Sequence, residues 1–527
     1  MTVANAASTV KTVADPNAEY DSLKGLWNRS RAVCSGERFV KDFDTVIDKV
    51  SFSNLLLPFS PSMTQEQYNF YKAEAELPGI VSQFAKMVVG GLLRKQPTLT
   101  LPKEVPEGAS DWIMTMLGED DSSLAAFMDL ALWEELQTSR AWVYVDHPTV
   151  NDSDGLTKAE RDEIRPYPVL WRAESVINWQ VGVTATGKRK LTRVISRGYK
   201  EEQEVDEFHP KFVDTVWVHE LDEGGKYQIR IFQKRAPTPE IPVIAGQTYT
   251  NYSGGAGDIF EEVETITEIL RNGERLEVIP AWPLNGSIDA VEPILSPIID
   301  KEIALYNKIS RRNHLLYGAA TYTPVLMSDM GDDEFETIVG AGLGSWLKIR
   351  ADDKLDVMKT PTDALQDMDR AIEGAIEEMA KLGIRMLSPE AAQSGVALEI
   401  RNAAQTAQLG TLNNKVSNTI AQVIQFMLNW HYDLDLKISD VEFSLSADFN
   451  PIPLGADWLR LATEWYETGL IPRSTWLQIL KHNDMVPPDY DDEEGVKEIN
   501  DDEIILSAKD EADALLEMKQ NQNVGTN

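Results

Sequence analysis

The chain has 527 residues, 43% of them hydrophobic, a single cysteine and a formal net charge of −35. That length allows three or four domains, and the apolar content excludes a globally disordered chain. The lone Cys34 excludes an internal disulfide and fits a reducing compartment. So much acid excludes tight nucleic-acid binding over the whole surface, because affinity for phosphate comes from Lys and Arg. It leaves open plain solubility or a wall that nucleic acid slides past.

The N-terminus carries no apolar run long enough for a signal peptide, and no segment reaches the roughly 18 apolar residues of a membrane span. A soluble, intracellular protein is expected. Residues 1–60 read as a loose arm leading into a helix. Residues 65–97 read as helical, broken by Pro78 and Gly79. A helix is expected over 122–140, from apolar positions Leu124, Phe127, Met128, Leu130, Ala131 and Leu136, with the strand AWVYVDHP directly after it. Residues 165–290 are β-rich. YPVLWR, VINWQVG, LTRVISRGY, TVWVHEL and YQIRIFQ are short runs of β-branched and aromatic residues, and DEGGKY before the last is a hairpin signal.

The pattern then switches to helical spacing. Pro293 opens a helix with Leu295, Ile298, Ile299, Ile303, Tyr306 and Ile309 on its apolar side, and Gly318 ends it. Over 319–362, TYTPVLM and SWLKI read as strands around a short helix, DDEFETIV. Residues 363–388 form a second helix, apolar at Leu365, Met368, Ile372, Ile376 and Met379, with acids at its dipole-positive start. These stripes either fill a core within one chain or face neighbouring copies. A small, polar stretch around 390–402 precedes a third helix running to about Tyr432. A strand, VEFSLSADF, and helices over 456–468 and 473–482 follow. From Asp484 onward there are 14 acidic and 3 basic residues, the signature of an acidic tail.

No chemistry emerges from the motifs. GGLLRKQP lacks the spacing of a phosphate loop, and GAGLGS has no phosphate-loop lysine. The six histidines form no metal-binding pair, and the run Asp332, Asp333, Glu334 reads as a solvated face. His219 and Glu220 fall on one strand, whose alternation sends them to opposite faces. No catalytic residue, metal ligand or cofactor is expected, and the chain is not read as an enzyme.

The order of parts carries a resemblance. GIVSQFAKMVVGGLLRKQP, SRAWVYVDHP, EPILSPIIDKEIALYNKISRRNHLLYGAATYTPVL and SGVALEIRNAA, in this order, resemble segments of the portal (head-tail connector) proteins of tailed bacteriophages over about residues 60–480. The resemblance implies an α+β portal fold assembling as a ring of about twelve subunits. Its parts would be an N-terminal arm (1–60), a wing (61–291), stem helices (292–318 and 363–388) and a clip (319–362). A tunnel loop (389–402), a long wing helix (403–435), a crown (436–483) and the tail (484–527) would complete it.

It further implies a channel at one capsid vertex for packaging and ejecting double-stranded DNA. The expected partners are the terminase large subunit, a head-tail adaptor or tail protein, the major capsid protein and a scaffolding protein, with no membrane. The location implied is the virion, with the host cytoplasm during assembly. On that reading Ile298, Ile299, Ile303, Tyr306, Ile372, Ile376 and Met379 would make ring contacts. Gln393, Ser394, Arg401, Asn402 and Gln405 would sit at the tunnel loop, where weak polar contacts let a duplex slide. Arg401 could equally pair with a glutamate such as Glu399. The alternative is a capsid, adaptor or scaffold protein without a channel.

Overall fold

The computed structural model describes residues 12–41, 55–118, 122–148, 157, 164–184, 186–202, 211–235, 260–271, 273–320, 323–327, 354–358, 363–379, 395–445, 456–468 and 470–482. The fold is mixed α and β. The chain divides into two compact units, Met1–Ala447 and Asp448–Asn527.

The first unit begins with α1 (Ala18–Ser35), capped by Asn17, whose side chain accepts from the Tyr20 amide at 2.8 Å. The expectation of a loose arm over 1–60 is corrected here. Tyr20, Leu23 and Trp27 recur at helical spacing, and Trp27, Ala32 and Val33 are fully buried. A tryptophan withdrawn from water in this way holds its helix in the core by about 2–3 kcal/mol. Residues α2 (Glu37–Lys41), α3 (Gln65–Glu74) and α4 (Ile80–Leu92) follow. The break at Pro78–Gly79 is present, and Gly79 has φ +71°, a conformation glycine adopts without strain. After β1 (Thr98–Thr100) and α5 (Ala109–Thr115) comes α6 (Leu124–Thr138), capped by Ser123 and leading straight into β2 (Trp142–Asp146).

Two sheets form the β-rich part. β2 is the central strand of three, flanked antiparallel by β3 (Tyr167–Trp171) and β11 (Ala281–Pro283). A five-stranded antiparallel meander runs β4 (Val176–Val183), β5 (Arg189–Glu202), β6 (Lys211–Leu221), β7 (Tyr227–Lys234) and β8 (Phe260–Ile266) in sequence order. Every strand expected from β-branched and aromatic runs between 165 and 235 is present. β9 (Leu270–Arg271) and β10 (Glu274–Arg275) make a small ladder before β11.

Arg140 joins α6 to these sheets. Its guanidinium is buried between the rings of Trp142 and Trp179, 4.6 and 4.2 Å from their centroids. It donates to the carbonyls of Ser287 and Ile288. Two aromatic faces and two carbonyls compensate the lost hydration of the cation, which by burial still sits at a pKa of about 10, below the usual arginine range.

Next come α7 (Ser296–Ala320), a strand pair of β12 (Thr323–Met327) with β13 (Lys354–Met358), and α8 (Asp363–Met379). The partner of β12 is KLDVM; the SWLKI run lies outside the described residues, as do DDEFETIV and GAGLGS. Helix α7 continues past Gly318 to Ala320. α9 spans Gly395–Tyr432, 38 residues and about 57 Å at 1.5 Å per residue. The expected boundary at 402/403 is therefore corrected: residues 395–402 are helical and continuous with the rest. The chain then turns through a short 3-10 segment (Ile438–Asp440) into β14 (Glu442–Ser444), which pairs antiparallel with β1. Residues 436–447 thus belong with the first unit, and the crown expected over 436–483 divides between the two.

In the second unit, α10 (Ala456–Glu467) and α11 (Arg473–His482) form a helical pair, with Tyr466 and Trp476 stacked at 4.9 Å. The acidic stretch after Asp484 lies outside the described residues.

Candidate functional site

Helices α7 and α8 build an antiparallel hairpin whose register is fixed by polar contacts. Lys301 pairs with Glu378 at 2.5 Å, Lys308 donates to the carbonyl of Ala371 at 3.4 Å, and Arg312 pairs with Asp369 at 2.8 Å. Along α7 the environment changes. Ile298, Ile299, Ile303 and Tyr306 are buried against the chain's own α1, α3 and α4. These four residues, expected to face neighbouring copies, are core in this chain: their stripe meets three helices of the same unit. On α8, Met379 is buried, Ile372 is half-buried and Ile376 is 44% exposed. Of the seven expected contact residues, only Ile376 presents a largely free side chain.

The root of the hairpin is tied to the α4 N-terminus by Glu302, which is fully buried. Its two carboxylate oxygens accept from the amides of Ile80 at 2.8 Å and Val81 at 2.7 Å. These are among the four amides that a helix start leaves without an internal partner. Burial raises the Glu302 pKa, while the backbone donors oppose that rise. The apolar stripe of 293–318 does not by itself single out Glu302. A lone acid on its apolar side was the available signal, since a buried carboxylate needs partners.

The polar character of α9 has a structural use at its C-terminal half. Asn413 donates to the carbonyl of Leu445 at 3.4 Å, and Ser417, bonded to Asn413 at 2.8 Å, accepts from the Leu445 amide. Asn429 both donates to the Leu436 carbonyl and accepts from its amide, at 3.0 and 2.8 Å, and Gln425 adds a second donor to that carbonyl. The row 413, 417, 425, 429 therefore grips the returning backbone and positions β14 against β1. Of the residues expected at the tunnel loop, Gln393 and Ser394 lie outside the described residues. Arg401, Asn402 and Gln405 lie on the first three turns of α9, with Arg401 and Gln405 one turn apart.

A cleft of about 1290 Å³ opens between the three-stranded sheet, the meander and the end of α9. Tyr144, Trp171, Trp217, Tyr199 and Trp430 give it an aromatic lining. Tyr144 and Trp171 stack at 4.5 Å, and the Trp217 ring crosses Gly198, where a Cβ would stand 3.3 Å from it. His219 on this wall is buried, shares a 2.7 Å hydrogen bond with the Tyr227 hydroxyl and is held neutral by burial, its pKa down at about 3. Glu220, its neighbour in β6, points the other way to Arg193, as alternation requires. Burial pushes the Cys34 thiol up to about 12, so it is no ready nucleophile. Among the described residues, no group of His, Cys, Asp and Glu could hold a metal ion, and no helix is long and apolar enough to cross a membrane.

Residues 295–431, covering α7 through nearly all of α9, match a family described as Domain of unknown function (DUF4055), which takes in under half of the chain. No curated protein matches the chain. Among solved structures, a chain of the "Virion of native gene transfer agent (GTA) particle" aligns over 76% of this chain and 89% of its own, at 10% identity and a TM-score of 0.35. That likeness is too slight to define a common fold.

Proposed function

We propose that the chain is a non-enzymatic virion structural protein of the portal type, a ring of about twelve copies at one capsid vertex through which double-stranded DNA enters and leaves. The observation that carries this reading is the succession from α7 to α9. A helix rooted in the core runs outward, a two-stranded antiparallel pair follows, and α8 returns along α7 in fixed register. A 38-residue helix comes next. The sequence at its start, GVALEIRNAAQ, carries Arg401 as its one cation, so a duplex passing it would find little to hold it.

In this reading β12 and β13 belong to the clip, which receives the terminase large subunit and, after packaging, the head-tail adaptor or tail proteins. The meander and the two small sheets form the wing, which faces the major capsid and scaffolding proteins. The net charge of −35 then acts as a wall with no grip on phosphate. The particle resides in the virion and assembles in the host cytoplasm.

The test is the mass of the purified particle by native mass spectrometry, together with negative-stain images. Closed rings with a central hole of about duplex width, roughly 20–25 Å, are the expected result. Monomers, filaments or closed shells would replace this reading with that of a capsid, adaptor or scaffold protein without a channel.

A further inference from the structure

We infer that the cleft between the three-stranded sheet and the meander is a docking groove for a proline-rich segment of a partner protein, taken up as a polyproline II helix. The inference stands apart from the ring reading, since the groove is complete in a single copy of the chain.

Three observations carry it. First, both walls present flat rings. Trp171 and Tyr167 stand at alternate places on β3 and line the cleft, and Tyr144 of β2 stacks on Trp171 at 4.5 Å. On the opposite wall Ser196, Trp217 and Ile231 form one cross-strand row over β5, β6 and β7. Second, this lining holds donors without acceptors. The indole N–H groups of Trp171 and Trp217 and the hydroxyl of Ser196 have no hydrogen-bond partner among the described residues, and none of the three atoms is sealed from solvent. Ser196 is only 6% exposed, so its hydroxyl is a nearly buried polar group open to the cleft alone. Such a group gains from a ligand that brings an acceptor. A polyproline II backbone has no internal hydrogen bonds and leaves its carbonyls free, and proline has no N–H of its own. A proline-rich segment therefore brings acceptors and apolar rings without donors, the complement of this lining.

Third, size, charge and strand edge narrow the choice of ligand. At about 1290 Å³ the cleft exceeds the roughly 300–1,000 Å³ of small-molecule pockets and has room for an extended segment. Asp146 and Glu268 balance Arg165 and Arg197 along its lining, and burial keeps His219 neutral, so a phosphate backbone finds no excess of cations there. Strand addition is blocked on the β3 side. β3 is the edge strand of its sheet, and Pro168 within it and Pro166 just before it have no N–H to offer a new strand. A peptide in this cleft is therefore held by ring faces and side-chain donors, which is how aromatic-lined grooves take proline-rich segments.

The experiment uses the full chain and fluorescein-labelled decaproline, with binding read as fluorescence anisotropy. Saturable binding to the wild type is expected. The double variant W171F/W217F keeps an aromatic ring at both positions and removes both N–H donors. It is expected to keep the wild-type circular dichroism spectrum and to bind about tenfold more weakly, the loss of two neutral hydrogen bonds. S196A removes one donor, is expected to weaken binding about threefold, and decides the matter if the double variant does not fold. F70L alters an exposed ring on α3, outside the cleft, and is expected to bind like the wild type. Wild-type affinity in both cleft variants, or an equal loss in F70L, overturns the inference, because the peptide then adheres elsewhere. Absence of saturable decaproline binding also overturns it, and saturable binding of cellohexaose in its place would assign the cleft to a neutral sugar.

Discussion

The two halves of α7 differ in almost every respect except secondary structure. The first half is core: Ile298, Ile299, Ile303 and Tyr306 are buried, and Glu302 caps another helix from inside. The second half carries Arg311, Leu316 and Tyr317 exposed, and its main neighbour is α8. A single helix of 25 residues thus serves as anchor at one end and as presented surface at the other. The lesson is that an apolar stripe of one periodicity can change partner along its length. The first half's stability comes from the chain itself, whereas the second half leaves Leu316 and Tyr317 exposed.

Breaking the anchor is expected to have the largest effects. Trp27→Ala empties a fully buried site beside α7 and should cost about 3–5 kcal/mol in urea denaturation. A loss below about 1 kcal/mol would mean that α1 is not part of this core. Glu302→Ala leaves the amides of Ile80 and Val81 without their acceptors. At about 1–3 kcal/mol for each unsatisfied donor, a total of about 2–6 kcal/mol is expected, with early proteolysis at the α4 start as a second readout.

A buried acid next to this anchor sharpens the comparison through pH. Glu135 is buried on α6, and burial raises its pKa from 4.5 to about 8, against one backbone donor, Ala141, at 3.1 Å. An acid whose pKa is raised on folding contributes stability that is complete below pH 4.5 and is lost as pH rises through about 8. At about 1.4 kcal/mol per pH unit the interval bounds the effect at about 5 kcal/mol. Glu135→Gln keeps an acceptor for Ala141 and removes the titration. It should therefore gain about 1–2 kcal/mol over wild type at about pH 8.5 and gain nothing at about pH 4. Parallel pH profiles for the two proteins would show that Glu135 does not titrate in this range.

Much of this arrangement was legible in the sequence, and the limits were physical. The strands between 167 and 234 announced themselves because β-branched and aromatic runs alternate with turn residues. The break at Pro78–Gly79 and the helices 456–467 and 473–482 were equally plain. Periodicity alone cannot say what a stripe meets, which is why Ile303 and Ile376 read alike and proved buried and exposed. Nor can composition tell a loop from a helix built of Ala, Gln and Asn, so the start of α9 at Gly395 was missed. Asn413 and Ser417 carry no motif that singles them out, and they grip the Leu445 backbone.

The smallest expected effect is the most discriminating. Ile303 and Ile376 are the same residue type on one hairpin, 8% and 44% exposed. Ile303→Ala should cost about 2–5 kcal/mol, since it leaves a void among three helices. Ile376→Ala removes a side chain that is already largely in water, so little transfer energy is lost. Alanine's better helix propensity returns about 0.4 kcal/mol. The net change in an isolated chain should fall within about 0.5 kcal/mol of zero, measured by urea denaturation of dilute protein. The same substitution, measured in concentrated protein where copies associate, should lower the assembled fraction, because only there is the Ile376 side chain covered. Equal, small effects in both conditions would mean that this face of α8 stays in water, and that the contact between copies lies elsewhere on the chain.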